Sequence, residues 1–137
     1  MRTQVLIIGG GPSGLLLSQL LSNVEIDCIV LEKHTKEHVL SRIRAGVLEE
    51  GTIKLLKQAG ISKRIYEEGF EHDGIFLSLK NHGFRIDLKK LINKKVTVYG
   101  QTEVTKDLYE VREKNGGKIY NSVKDVMTHE FTTNKLF

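Results

Sequence analysis

At 137 residues, with one cysteine and one proline, the chain is too short for more than one domain and too poor in cysteine for any internal disulfide. Its 39% hydrophobic and 28% charged residues describe a globular chain rather than a disordered one. Its net charge of +4 gathers in "RIDLKKLINKK", Arg85 to Lys95, where no aromatic is interleaved to stack bases. Nucleic acid is therefore not an expected partner, and the charge reads as a solvated face that helps draw in anionic cofactors or substrates.

The first element is carried by "VLIIGGGPSGLLLSQLL", residues 5 to 21. A secretion signal would need an unbroken apolar core and a small-residue cleavage site, and this stretch has glycines in its middle and no such site. Val5 to Ile8 is short and rich in β-branched residues, whereas Leu15 to Leu21 favours helix, so the segment predicts strand, turn and helix. Gly9, Gly11 and Gly14 fill the G-x-G-x-x-G pattern. The first of these allows the tight turn, the second lets backbone approach a pyrophosphate, and the third lets helix pack closely on strand. Pro12 suits the first helical turn, because its missing N–H would have no partner there. The phosphates of a dinucleotide would sit at this helix N-terminus.

Cys28 to Leu31 predicts a second buried strand, ending in Glu32, eighteen residues past Gly14. An acid near this spacing accepts hydrogen bonds from a ribose. The alternative is an ordinary βαβ unit whose glycines only pack and whose Glu32 only solvates a strand end. His34 and His38 follow in an H-x-x-E-H pattern, which can hold zinc on a helix. No partner motif offers a third ligand, so a polar surface helix is expected there and no metal. A lone buried cysteine and the lack of a signal point to the cytoplasm, and no other apolar run is long enough to cross a membrane.

Further along, "VLEEGTIKLLKQAG" places Leu48, Leu55, Leu56 and Ala59 at helical spacing, closed by Gly60. Residues 61 to 68 predict a shorter helix. Gly74 to Leu79 and Phe84 to Leu88 read as a hairpin around "KNHG", and "KVTVYG" as a strand. "QTEVTKDLYEVREKNGG" reads as a helix with Thr102 as its cap, and "KIYNS" as a last strand. "VKDVMTHEFTTNKLF" begins like a further strand and is expected to belong to a sheet that continues. The fold expected is α/β: a Rossmann-like dinucleotide-binding βαβ sheet with an added antiparallel hairpin, incomplete within these residues.

"IIGGGPSGLLLSQLL", "LEKHT", "LSRIRAGVLEEG", "RIDLKKL" and "VTVYGQTEVTKDL" together closely resemble the N-terminal third of flavoprotein aromatic hydroxylases of the 4-hydroxybenzoate 3-monooxygenase kind. The likeness runs over residues 1 to about 120 and fades in the last fifteen. It implies an enzyme that binds FAD, reduces it with NAD(P)H, and uses O2 to hydroxylate a small aromatic acid beside its phenol. It leaves open a homodimer of the longer protein, without a membrane or nucleic-acid partner.

Carried over by position, the resemblance puts Gly9, Gly11, Ser13 and Gly14 against the FAD pyrophosphate and Glu32 against its ribose. Arg42, Ile43, Arg44, Ala45, Gly46 and Val47 match the family's flavin-contacting stretch, Gln101 a further FAD contact, and His72 the outer end of a proton relay from the phenol. Independently of the family, Arg42 and Arg44 leave an extended segment on one face, as phosphate contacts require, although surface salt bridges would fit them too. Ala45 and Gly46 are small enough for backbone to lie against a flat ring. Lys33, His34 and His38 stand where NADPH-preferring members carry Arg, Gln and Tyr, so the choice of nicotinamide stays open.

On this reading residues 1–137 are the N-terminal part of an FAD-binding domain whose substrate domain lies beyond them. Alone they are expected to bind FAD weakly, to be poorly soluble and not to turn over. Two other classes remain in view: a non-catalytic nucleotide-binding module, and a small metallohydrolase built on His34 and His38.

Overall fold

The computed structural model describes residues 2–129. The strand β1 (Val5–Ile8), the helix α1 (Pro12–Asn23) and the strand β2 (Cys28–Leu31) form the expected strand-turn-helix-strand unit. Strands β1 and β2 run parallel, with Val5 opposite Cys28 and Ile8 opposite Leu31. The helices α2 (Lys36–Ser41), α3 (Glu50–Gln58) and α4 (Lys63–Glu68) follow, with the strand β3 (Val47–Glu49) between the first two. Next come β4 (Phe70–His72), β5 (Gly74–Leu79), β6 (His82–Asp87), the short helix α5 (Leu88–Ile92), β7 (Val96–Val98), the long helix α6 (Gln101–Lys114) and β8 (Lys118–Tyr120). Strand β8 adds in parallel to β2, giving a sheet in the order β1-β2-β8.

Packing explains why this sheet forms. Ile29 and Val30 on β2 are buried, and α1 and α6 pack against each other through Leu15 and Leu108, both fully buried. Leu56, Ile65 and Tyr99 complete the same core, so α3, α4 and the end of β7 close around α6. Leu6 and Ile8, the alternate residues of β1, remain 50% and 60% exposed, which leaves part of a parallel sheet without the covering layer such sheets ordinarily have.

Several elements differ from their sequence expectations for tertiary reasons. Leu48, expected in a helix, lies in β3, because Val47 to Glu49 pair antiparallel with β7 and helix begins only at Glu50. Strand β7 also pairs with β4, making a second sheet, β3-β7-β4, that no local pattern announces. The hairpin turn is tighter than expected: Leu79 pairs with His82, so His82 and Gly83 join the strand and Lys80 takes a left-handed φ of 54°. Leu88, expected at a strand end, starts α5, since the Asp87 side chain accepts the Lys90 N–H at 2.8 Å and nucleates a helix there. Thr102 does not cap α6; Gly100 occupies the cap position, and the Thr102 hydroxyl instead faces the Arg42 carbonyl at 3.5 Å. Residues 123 to 129 form no strand, and 130–137 of that expected strand lie outside the described residues.

The basic run is tied down by carboxylates: Arg85 pairs with Asp73, Lys94 with Glu50 and Lys95 with Glu71. Among the described residues no helix is long and apolar enough to cross a membrane.

Arg64 is the main polar tie between layers. From α4 it donates to Glu68 at 2.9 Å, to Glu103 at 2.7 Å and to Asp107, and Asp107 also accepts the Tyr99 hydroxyl at 2.8 Å. These carboxylates hold the guanidinium well above its ordinary range, whereas burial and the neighbouring Asp107 push the Tyr99 phenol up. Arg64→Met should lower stability by about 2 kcal/mol, because the buried Asp107 loses its charged partner. Urea denaturation checks this, and Asp107→Asn in the same background should recover part of the loss.

Candidate functional site

The glycine turn between β1 and α1 has the properties its spacing requires. Gly9 sits at φ 118°, a conformation that side chains rarely adopt, and its N–H reaches back to the Leu31 carbonyl at 2.8 Å. A β-carbon at Gly14 would strike the Gly9 carbonyl oxygen, so the third glycine lets the helix meet the turn. At Gly11 a β-carbon would meet nothing within 4 Å, so the second glycine faces open space. Helix α1 carries no side-chain cap and no acidic residue in its first turn. Its N-terminal N–H groups and the positive end of its dipole are therefore available to an anion.

Glu32 stands beside that turn, 8% exposed at the end of β2. One carboxylate oxygen accepts the Gly10 N–H at 2.7 Å and the other the His34 N–H at 2.9 Å. Burial opposes the charged form, but the N–H groups of His34 and Gly10 more than offset it and hold the carboxyl below its ordinary value of 4.5. A carboxylate can accept about four hydrogen bonds, so capacity remains for a ribose diol. Gly10 was missed by the glycine pattern, whose middle position is unspecified. A β-carbon there would come within 2.9 Å of Glu32 Cβ, so Gly10 has to be glycine for Glu32 to stand where it does.

A folded pKa below the unfolded one means that ionised Glu32 adds stability above the unfolded value, and that this is lost as pH falls through the folded value. Thermal melts from pH 7 down to pH 3 should therefore show a loss that Glu32→Gln shrinks.

Arg42 caps the C-terminal end of α2, and Arg42 to Gly46 run on to β3 without regular structure. This segment is pinned at Gly46, whose carbonyl accepts the Tyr99 N–H at 2.7 Å; a β-carbon there would lie 2.6 Å from Gly100 Cα. Gly46 thus serves close backbone approach to the start of α6. The consequence is convergence: Arg42, Arg44, Gly11, Ser13 and Gln101 line one cleft of about 310 Å³. A second cleft of about 340 Å³, lined by Ser13, Ala45, Val47 and Gln101, adjoins it through shared residues. Ile43 points to solvent at 94% exposure and lines neither.

On the other side of the glycine turn lies a larger cleft, about 920 Å³, lined by Gly9, Glu32, Lys33, His34, His38 and Arg42, with Val123 to Val126 as its far wall. That wall was not legible as part of a site. It is held by backbone: the Ser122 N–H donates to the His34 carbonyl and the Val123 N–H to the Glu32 carbonyl. His34 and His38 do not form a helical metal pair. His34 precedes α2, the two rings stack with centroids 4.2 Å apart, and among the described residues no three or more His, Cys, Asp or Glu side chains are gathered so as to hold a metal ion. Burial and the nearby His38 and Lys33 charges push the His34 pKa down. His72 is exposed on β4, opposite Val96, and lines none of these clefts.

An uncapped helix N-terminus, an open glycine beside it, an anchored acid at the next strand end and two converging arginines make a nucleotide-binding α/β unit with the donor set a dinucleotide needs. The FAD binding domain family matches residues 2–135, and the chain belongs to that family. It is 47% identical over 132 residues to a p-hydroxybenzoate hydroxylase of Acinetobacter baylyi, covering 96% of this chain and 33% of that protein. In structure it resembles the p-nitrophenol 4-monooxygenase PnpA of Pseudomonas putida DLL-E4, with TM-score 0.77, 21% identity, and coverage of 92% of this chain and 34% of that one. PqsL of Pseudomonas aeruginosa, solved with 2-aminobenzoylacetate, gives TM-score 0.81 at 16% identity, with coverage of 93% and 36%. The chain therefore spans about a third of the length of these proteins. FAD is the cofactor of the family, and flavin-dependent monooxygenases are among its enzymes.

Proposed function

We propose that these residues form the cofactor-binding part of a flavin-dependent aromatic hydroxylase acting on 4-hydroxybenzoate or a closely related small aromatic acid, with NAD(P)H and O2 as cosubstrates, in the cytoplasm. The convergence of Arg42, Arg44 and Gln101 on the glycine turn carries the reading, and the 47% identity to a p-hydroxybenzoate hydroxylase directs it to this substrate class.

In this reading Gly9, Gly11, Ser13 and Gly14 offer backbone to the FAD pyrophosphate, with Arg42 and Arg44 adding charge-assisted contacts. Glu32 takes the adenosine ribose. Ala45, Gly46, Val47 and Gln101 line the way toward the flavin. Bound FAD supplies the redox chemistry with O2. Lys33 presents positive charge at the cleft beside Glu32, with the His34 and His38 rings in the same lining, which suits either nicotinamide dinucleotide; Lys33 lacks the planar fork that would grip a 2′-phosphate at two points. His72, being exposed, can pass a proton to solvent but needs further groups to reach a buried phenol.

A chimera tests the proposal: this chain replaces the matched segment of the Acinetobacter protein, with Glu32→Ala as control. Bound flavin together with p-hydroxybenzoate-stimulated NAD(P)H oxidation and a hydroxylated product is expected. A folded, flavin-loaded chimera whose NAD(P)H oxidation ignores the aromatic acid contradicts the hydroxylase reading, and a folded but colourless one contradicts the FAD assignments.

A further inference from the structure

We infer that Tyr109 is a positioning residue for ribose recognition, setting the place of Glu32 through the Gly10 turn and Asn121. The inference rests on the dinucleotide reading of the site.

Tyr109 lies on α6, far in sequence from Gly10 and Glu32, and is fully buried. Its hydroxyl donates to Asn121 Oδ1 at 3.1 Å. A β-carbon built on Gly10 would come 3.1 Å from the same hydroxyl oxygen and 2.9 Å from Glu32 Cβ. The phenol and Glu32 therefore meet over the Gly10 backbone, whose N–H is bonded to the Glu32 carboxylate. Asn121 is well placed to transmit the contact. It directly follows Tyr120, whose carbonyl accepts the Glu32 N–H at 2.8 Å, and Val123 returns to the Glu32 carbonyl at 2.9 Å. The backbone of Glu32 is thus held on both sides by the segment that the Tyr109 hydroxyl anchors.

The ring is fixed from its other side. Lys36 Nζ stands 5.2 Å from the ring centroid and is itself paired with Glu113 at 2.6 Å. Burial, with the charge of Glu32, pushes the phenol up to about 12, so it is a neutral donor near pH 7.

The chemistry at stake is narrow. Both Glu32 oxygens already accept a backbone N–H, so only lone pairs in the remaining directions can serve a diol, and a small rotation of the carboxylate would misdirect them. Removing the Tyr109 hydroxyl should therefore affect recognition of ribose hydroxyls rather than of phosphate.

The test compares binding of ADP and 2′,3′-dideoxyadenosine diphosphate to the full chain by calorimetry, for the wild type, Tyr109→Phe and Asn121→Ala. The wild type should prefer ADP about tenfold, the size expected for hydrogen bonds to a charged group. Tyr109→Phe should cut that preference to about twofold while binding the dideoxy nucleotide as the wild type does, and Asn121→Ala should do the same. Should Tyr109→Phe fail to fold, Asn121→Ala carries the comparison. Retention of the full preference in a folded variant overturns the positioning role, and so does an equal loss for both nucleotides, which would mark Tyr109 as merely structural. A wild type with no preference overturns the ribose reading of Glu32 itself, and this inference with it.

Discussion

Gly14→Ala is expected to destabilise the chain by roughly 3 kcal/mol and to abolish FAD binding. The added β-carbon would strike the Gly9 carbonyl oxygen and come 3.2 Å from Ile7 Cγ2. The first obstacle is backbone already fixed by the Gly9 N–H to Leu31 bond, so the helix must lift off the strand, taking its N-terminal N–H groups away from the phosphate position. Gly11→Ala is the informative contrast. Its β-carbon meets nothing in the protein, and Gly11 already has an ordinary φ of −76°, so the stability cost should stay under about 1 kcal/mol. FAD binding should nevertheless be lost, because the open space is where a pyrophosphate would approach. Urea denaturation and flavin fluorescence titration of both variants separate the two effects. Equal stability losses would show that Gly11 is no ligand-facing position.

Glu32→Ala should have the second largest effect, about 2 kcal/mol in stability and at least a tenfold loss in FAD affinity. The substitution leaves the buried Gly10 N–H and the partly buried His34 N–H without their acceptor, and that penalty does not depend on any ligand. Glu32→Gln should keep one of those bonds and recover about half the stability, while its affinity for FAD stays low because an amide offers the diol fewer acceptors. Calorimetry and denaturation on the two variants check the split. An unchanged affinity in Glu32→Ala would remove the residue from the site.

What the sequence made legible was local. Val5 to Ile8, the glycine run, Leu15 to Leu21 and Cys28 to Glu32 each announce their structure through neighbours a few residues away, and together they place the turn, the helix and the acid. Strands β3 and β4 were not legible because each is three residues long and exists only through pairing with β7. Leu48 shows the conflict directly: its spacing to Leu55 suits a helix, yet pairing of β3 with β7 and the Gly46 to Tyr99 bond draw it into a strand. In the site, the spacing of Arg42 and Arg44 put both on one face of an extended segment but left phosphate contacts and surface salt bridges both open. Their meeting with Gln101 depends on Gly46 packing on Gly100, which no local pattern encodes. The Val123 to Val126 wall and the reach of Tyr109 to Gly10 are products of chain return after α6 and could be seen only in three dimensions.

The central claim, that Glu32, the glycine turn and the Arg42 to Val47 segment form one FAD site, is tested most directly by equilibrium titration of FAD with the purified chain, followed by flavin fluorescence. The expected result is saturable binding that Glu32→Ala with Arg44→Ala eliminates while the fold survives. Absence of saturation by the folded wild type, or equal binding by the double variant, would contradict it.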